Sequence, residues 1–242
     1  MELCWMSREV SGAGDKGSRL VQPELLDSLD PSKPEAKSSR KDLRFLNHTM
    51  GHLRMAQQAF CQLGPLNHII EVGAGDATMM LAVVSRLPAA SRPKAVTFVD
   101  TLATVEEPTR QSFLDLGVQA TFVTSDVFDF FGSEASSRAD LIFANLFLHH
   151  FDDESLKRLF TLSRNFTSRW LAFEPRRSRT NLGFTKLLWL LGCHPVTQHD
   201  ARKSVQAGFS GHELSQLWGE GSGWALSEKR VGLFSHFFLA IK

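Results

Sequence analysis

The sequence lacks most of the features that place a protein in a special class. It has only three cysteines, far apart and odd in number, and they fit neither a disulfide framework nor a zinc spacing. This scarcity favours a reduced, cytoplasmic protein. No apolar run approaches the roughly 20 residues that a membrane helix needs, and the opening MELCWMSREV lacks the apolar core of a signal peptide. A net charge of +1 gives no reason to expect a nucleic-acid partner.

Composition divides the chain near Asp42. Residues 1–41 are rich in glycine, serine, proline and charge, which predicts a flexible N-terminal tail. After Asp42 apolar residues recur at helical spacing, which predicts a cap helix over residues 42–60. We therefore expect one folded domain over residues 42–242.

Within that domain, apolar runs alternate with helical stretches. Continuously apolar strands that alternate with helices are typical of a parallel sheet covered on both faces. The last two runs are joined by a tight turn at Val231-Gly232 and predict an antiparallel C-terminal hairpin. The fold class expected is therefore α/β, a Rossmann-like, mostly parallel sheet of seven strands. Residues 176–220 form an insert that we expect to cover the substrate. The predicted strands are HIIEV, AVTFVD, QATFVTSDV, ADLIFANLFL, RWLAFEP, WALSEKR and LFSHFFLAI.

A glycine loop, Gly73-Ala74-Gly75, follows the first strand and precedes a helix. Glycine lets the chain turn sharply and lets a ligand approach the backbone, and the amides of the next helix then face that ligand. The dinucleotide fingerprint is incomplete here because its last position is Thr78. A complete match, GAGDKG at residues 12–17, lies in the predicted tail with no strand before it, and we reject it.

These motifs resemble the class I methyltransferases that use S-adenosylmethionine (SAM). Glu71-x-Gly73-x-Gly75-x-Ala77 is similar to the first motif of that family, with alanine in place of the usual third glycine. The resemblance runs in order from about Phe60 to the end of the chain. The stretches NLFLHHFDD, FEPRRS, HDARKSVQAGFSGHELSQLW and LFSHFFLA are similar to a bacterial small-molecule branch, with a type 11/12-like methyltransferase domain.

The resemblance implies SAM as the cofactor. It assigns Asp100 to the ribose hydroxyls, Asp126 to the adenine amino group and Val127 to the face of the ring. Glu71 ends a buried strand, where an unpaired carboxylate is costly, and a place near the amino group of SAM would satisfy it. The full set expected at the cofactor is Glu71, Gly73, Gly75, Asp100, Asp126, Val127 and Asn145.

His149 and His150 admit three interpretations. They could bind a metal, but adjacent side chains on an extended segment point to opposite faces, so we predict no metal site. One of them could hydrogen-bond backbone before the helix that Asp152 or Asp153 caps. One of them could face the pocket as a base or substrate contact, because ligands bind at the carboxyl edge of a parallel sheet. The third interpretation makes both candidate catalytic residues.

Glu174 and Arg176 end the fifth strand on the same edge and are expected to contact the substrate. The arginine suits a substrate anion or phenolate. The alternative is an ion pair that braces the insert.

The resemblance implies methyl transfer to a small molecule, through an oxygen or carbon nucleophile of a polyketide, phenol or quinone-like metabolite. Two alternatives stay open: a non-catalytic SAM-binding module, and an NAD(P)-dependent oxidoreductase on a related sheet. Thr78 and the terminal hairpin count against the oxidoreductase. The sequence leaves the oligomeric state undetermined.

Overall fold

A sheet of seven strands in the order β3-β2-β1-β4-β5-β7-β6 forms the centre of the protein. The computed structural model describes residues 17–133, 137–219 and 223–242. Five strands are parallel, and β7 runs antiparallel to both β5 and β6. The predicted fold class and the C-terminal hairpin are thus confirmed. The strands are β1 His68–Val72, β2 Ala95–Asp100, β3 Gln119–Thr124, β4 Leu141–Asn145, β5 Arg169–Pro175, β6 Ala225–Val231 and β7 Ser235–Ile241.

Helices cover the two faces of the sheet and the carboxyl edge of its parallel strands. Helices α6 and α9 were not predicted from the sequence, and Asp126 caps α6 by accepting a hydrogen bond from the Phe128 amide. The helices are α1 Leu25–Ser28, α2 Pro34–Thr49, α3 His52–Gln62, α4 Thr78–Arg86, α5 Glu107–Asp115, α6 Val127–Gly132, α7 Asp153–Ser163, α8 Arg179–Thr185, α9 Pro195–Ala207 and α10 Glu213–Trp218. Short three-ten turns occur at Ala89–Ser91 and Leu148–His150.

Two apolar layers hold the helices on the sheet. One layer includes Phe98, Phe143 and Phe173, and the other includes Phe160 and Trp170. The sequence has 19 phenylalanines and no tyrosine. Phenylalanine buries a large ring without a hydroxyl that would need a partner, so these layers can be dry.

The N-terminal part differs from its prediction. Helix α2 begins at Pro34 rather than at Asp42, and the predicted cap helix is broken at Gly51, whose φ of +77° favours glycine. Residues 17–33, the N-terminal segment, contact the domain. The Arg19 guanidinium donates to Asp153 at 2.7 Å and to the Phe151 carbonyl at 2.8 Å. A flexible tail is therefore wrong for residues 17–41, and the prediction for residues 1–16 lies outside the described residues.

The insert forms three helices, α8 to α10, beside the carboxyl edge. The stretch TKLLWLL, predicted to be helical, only ends α8 and then continues as consecutive turns. Its Trp189, Leu190 and Leu191 are each about 60% exposed. None of the helices in the described residues has the length and apolarity required to cross a bilayer.

Candidate functional site

A cavity of about 880 Å³ lies at the carboxyl edge of the parallel strands. The glycine loop and the ends of β2 and β3 form one wall, which we call the glycine half. A second part of the lining comes from the N-terminal segment, the turn after β4, and helices α2 and α9, and we call it the histidine half. Leucines of the stretch after α8 close the opening.

The backbone of the glycine loop is left-handed at three positions. Gly73, Gly75 and Ala77 have φ values of +67°, +54° and +58°. A Cβ on Gly73 would lie 2.1 Å from Cδ2 of Phe147, so only glycine fits there. The tight turn expected from the sequence is therefore present, and its first glycine also makes room for an aromatic ring from the turn after β4.

Asp100 and Asp126 both line the cavity, as predicted. The two oxygens of Asp100 accept from the Gly75 amide at 2.8 Å and the Leu102 amide at 2.9 Å. These bonds fix the carboxylate beside the loop and leave lone pairs for a ligand, since each carboxylate oxygen can accept more than one hydrogen bond. Asp126 accepts from the Phe128 amide at 2.7 Å, and Val127 is buried behind it.

Glu71 is the least satisfied polar group of the glycine half. Its side chain is 2% exposed, lines the cavity, and has no hydrogen-bond partner at Oε2. Burial, together with the negative charges of Asp76 and Asp100, raises the pKa of Glu71 well above its usual value. A buried carboxyl without donors is costly to ionise, and a cation brought into the cavity would relieve that cost.

His149 and His150 both line the cavity. The segment is not extended, as the sequence analysis assumed, but forms the three-ten turn Leu148–His150. The two rings consequently lie side by side, with centroids 4.3 Å apart. His149 is 3% exposed, whereas His150 is partly exposed. The expectation that the rings point to opposite faces is therefore wrong, and so is the argument against a shared ligand that rested on it.

Glu174 holds this turn and does not line the cavity. It accepts hydrogen bonds from the backbone amides of Phe147, Leu148 and His149 at 3.0, 2.8 and 3.3 Å. Its Oε2 also lies 2.8 Å from Nδ1 of His149. The side chain is fully buried. Burial alone would raise the pKa of Glu174, but His149 and the backbone amides outweigh it and lower the pKa. These contacts make Glu174 a positioning residue of the turn, and the structure does not place it among the residues that line the cavity.

Glu24, from the N-terminal segment, reaches the other side of His149. Its Oε1 lies 3.4 Å from Nε2 of His149 and accepts a hydrogen bond from Ser204 of α9. Burial would lower the pKa of His149, but the carboxylates of Glu174 and Glu24 outweigh it and raise the pKa to about 9. The same contacts overcome burial at Glu24 and lower its pKa to about 2. The sequence analysis missed Glu24 because it assigned residues 1–41 to a tail.

Asp27 and Asp200 complete the acidic surroundings of the histidine half. Asp27 lies 3.4 Å from Nδ1 of His150. Asp200 on α9 accepts from the amides of Leu25 and Leu26, at 2.8 and 2.9 Å, and so fixes the start of α1.

Asn145 lines the cavity at the end of β4, as predicted, but its amide is engaged by the protein. Its Oδ1 lies 2.7 Å from Nδ1 of His52, and its nitrogen donates to Asn47 at 3.0 Å. Burial lowers the pKa of His52 to about 4, so this ring is neutral at pH 7. These hydrogen bonds join β4 to helices α2 and α3. No local pattern in the sequence predicts them.

Arg176, predicted as a substrate contact, does not line the cavity either. Its backbone pairs with Phe234, and its guanidinium lies near Arg230 rather than near an acid of the cavity. The neighbouring Arg177 is buried and forms an ion pair with Glu213 of α10. The alternative interpretation, an ion pair that braces the insert, describes Arg177.

Helix α2 contacts the glycine loop through an ion pair at the edge of the cavity. Arg44 forms an ion pair with Asp76 of the glycine loop at 2.6 Å, and both residues line the cavity. The pair is partly exposed, so its contribution to stability is small, but it joins α2 to the loop.

Comparison with solved structures identifies the fold. A plantazolicin methyltransferase in complex with SAH and a triazolic desmethylPZN analogue superposes with a TM-score of 0.62, at 14% identity, over 87% of this chain and 92% of that chain. Magnesium protoporphyrin IX methyltransferase from Synechocystis PCC 6803, with bound SAH, gives 0.52 at 15% identity, over 79% and 83%. An O-methyltransferase family protein from Burkholderia thailandensis gives 0.54 at 14% identity, over 87% and 63%.

No protein-family model matches the sequence, and no curated protein matches it. The chain nevertheless has the seven-stranded fold that these methyltransferases share.

Proposed function

We propose that the protein transfers a methyl group from SAM to a small molecule. The observation that carries this proposal is Glu71, a buried carboxyl at the end of β1 that lines a cavity beside a left-handed glycine loop and has one oxygen without a hydrogen-bond partner. A ligand that brings a cation to Glu71 and hydroxyl groups to the neighbouring acid, Asp100, would provide the missing partners. SAM, which supplies a methyl group activated on a sulfonium, has these features.

The glycine half offers a group for each part of the cofactor. Glu71 would receive the ammonium of the methionine portion, where opposite charge relieves the cost of a buried carboxylate. Asp100, held by the Gly75 and Leu102 amides, would accept from the ribose hydroxyls. Asp126 would accept from the adenine amino group, and Val127 would pack against the ring. These assignments use side chains that already line one continuous wall.

The substrate would occupy the other part of the cavity. The lining near the opening is apolar and includes Phe184, Leu188 and Leu191. A cavity of about 880 Å³ is within the range of small-molecule sites and can hold both a cofactor and an acceptor. Structural neighbours named as methyltransferases of plantazolicin and of magnesium protoporphyrin IX support a small-molecule acceptor. For this chain we propose a polyketide, phenol or quinone-like acceptor.

Methyl transfer needs alignment of the acceptor with the methyl group and exclusion of water. The α2 and α8 walls would exclude water. A pKa of about 9 keeps His149 protonated at neutral pH, so it would place positive charge next to an acceptor oxygen instead of removing its proton. His150, partly exposed on the same wall, is the histidine that can contact the acceptor as a base.

Calorimetric titration of the full chain with SAM, SAH and NAD tests the cofactor. We expect binding of SAM and SAH and none of NAD. Binding of NAD without SAM would return the protein to the oxidoreductase alternative.

Turnover tests the enzyme. Formation of SAH with a panel of phenols, quinones and polyketides is the expected result, and His150→Gln should reduce the rate by roughly 100-fold if it is a base. SAM binding without turnover across the panel would favour the non-catalytic alternative. Full activity in both His149→Gln and His150→Gln would remove the histidines from the reaction.

A further inference from the structure

Three side chains of the histidine half meet at one point of the cavity wall. Potential ligand atoms of Glu24, His149 and His150 all lie within 4.8 Å of one another. They come from two distant parts of the chain, and all three line the cavity. Two imidazoles and a carboxylate are a ligand set that divalent transition metals bind in proteins.

Glu174, which lies beside Nδ1 of His149, determines which ring nitrogen of His149 faces the cluster. Glu174 is fully buried and lies 2.8 Å from Nδ1 of His149, so that nitrogen carries the hydrogen and Nε2 faces Glu24. A carboxylate that accepts from one ring nitrogen while the other faces the ion is the usual support of a metal-binding histidine. Nε2 of His149 is buried and has no hydrogen-bond partner, which is the second, independent sign of a missing ligand.

The spacing of Nε2 from Glu24 fits an ion better than a hydrogen bond. The two atoms are 3.4 Å apart, whereas a charge-assisted hydrogen bond would be about 2.7–2.9 Å. Two ligand atoms at about 2.0–2.1 Å from a tetrahedral zinc ion are about 3.3 Å apart. Glu24 and His149 therefore stand at the separation of two zinc ligands, and the partly exposed His150 needs only a side-chain movement to approach them.

The carboxylates around His149 and His150 also favour the binding of a cation. Three carboxylates, Glu24, Asp27 and Glu174, lie within 3.4 Å of the two imidazole rings. A divalent ion bound between these side chains would offset part of the negative charge of the carboxylates.

We propose that Glu24, His149 and His150 bind a divalent transition-metal ion of the Zn²⁺ type in the wall of the cavity. Three protein ligands leave one position open, as in catalytic zinc sites. That position faces the acceptor part of the cavity, where an oxygen of the substrate can occupy it and lose its proton to solvent more readily. The role at the acceptor, unlike the binding itself, rests on the proposed methyl transfer. In that case the metal ion, and not His150 as a base, would activate the acceptor oxygen.

The test is Zn²⁺ binding to the chelator-treated full chain, measured by competition with a chromophoric chelator. We expect one Zn²⁺ per chain in the wild type and an affinity lower by at least about 10-fold in Glu24→Gln and in His150→Gln. His150 is partly exposed, so that variant tests the site even if the fold depends on Glu24. His48→Gln, at an exposed histidine of α2, is the matched control and should bind as the wild type does.

Absence of stoichiometric Zn²⁺ in the wild type overturns the site, and so do equal affinities in the wild type, Glu24→Gln and His150→Gln. A similar loss in His48→Gln would indicate adventitious surface binding and also overturn it. Because Zn²⁺ and SAM are titrated separately, the two proposals can fail independently. Zn²⁺ binding that depends on Glu24 and His150, without SAM binding, would support the metal site and contradict the proposed methyl transfer. SAM binding without such Zn²⁺ binding would contradict the metal site alone.

Discussion

Glu71 and Glu174 hold equivalent places in the fold and behave in opposite ways. Each is the last residue but one of a parallel strand, β1 and β5, and each is buried. Glu174 accepts four hydrogen bonds and its pKa is lowered, whereas Oε2 of Glu71 has none and its pKa is raised. A buried carboxylate with donors belongs to the scaffold. A buried carboxyl without them is completed by a ligand.

The largest expected difference between the two concerns stability. Glu174→Gln removes the negative charge beside the His149 ring and puts an NH2 donor at one of the two oxygen positions that now accept hydrogen bonds. Removal of one member of a buried ion pair costs about 3–5 kcal/mol. Glu71→Gln breaks no hydrogen bond at Oε2 and removes a buried carboxyl whose ionisation is costly, so we expect a change within about 1 kcal/mol. Urea unfolding of both variants gives the comparison. Equal losses would show that Glu71 also has a structural role.

The histidine half should lose stability as the pH rises. The pKa of His149 is about 9 in the fold against 6.5 for the free side chain, so its contribution is complete below pH 6.5 and is lost as the pH passes through about 9. One pKa unit corresponds to about 1.4 kcal/mol, so the free energy of unfolding should fall by up to about 3 kcal/mol over this interval. Unfolding curves at several pH values measure the fall. A His149→Gln variant that retains the same slope would assign it to another group.

In the glycine half we expect the protonation of Glu71 to change when SAM binds. If Glu71 is neutral in the free protein and ionised beside the ammonium of SAM, binding releases a proton, which calorimetry in buffers of different ionisation enthalpy detects. Glu71→Gln should abolish the release and weaken SAM binding by about 10- to 100-fold, the worth of a hydrogen bond to a charged group. Glu107→Gln, at an exposed acid of α5, is the control. Unchanged binding in Glu71→Gln would place the ammonium elsewhere.

At the glycine loop we expect the effect of a substitution to depend on backbone strain and on the space around the new Cβ atom. Gly73→Ala imposes a left-handed conformation on alanine, at about 1–2 kcal/mol, and pushes its Cβ towards the Phe147 ring. Gly132→Ala has negative φ and open space around the new Cβ, so it should be neutral or slightly stabilising. Thermal unfolding and SAM titration of both variants separate strain from loss of the cofactor wall. A normal SAM affinity in Gly73→Ala would show that the loop adapts.

The glycine half could be predicted because its information is local. Glu71, Gly73, Asp100 and Asp126 each lie at or just after the end of a strand of the parallel sheet. Apolar runs reveal such strands, and parallel topology brings their carboxyl ends to one edge. The same argument placed Glu174 at this edge correctly. It could not show that the donors which occupy Glu174 come from the turn after β4, 25 to 27 residues earlier.

The histidine half could not be predicted because its contacts join distant residues. Glu24 meets His149 across 125 positions of the sequence, and nothing periodic in a polar segment indicates such a partner. The break at Gly51 and the three-ten turn at His149 are single-residue changes of backbone direction. Tertiary contacts decide them, whereas helical periodicity alone predicted one continuous helix.

The position of the N-terminal segment has a consequence for the order of folding. Arg19 pairs with Asp153 across 134 positions, and Leu20 pairs with Gln206. The segment therefore cannot dock before α7 and α9 are in place, and contacts of such long sequence separation form late. A late-forming, polar element is also among the first to open in the native state. We therefore expect the N-terminal segment, which carries Glu24, to open before the sheet unfolds.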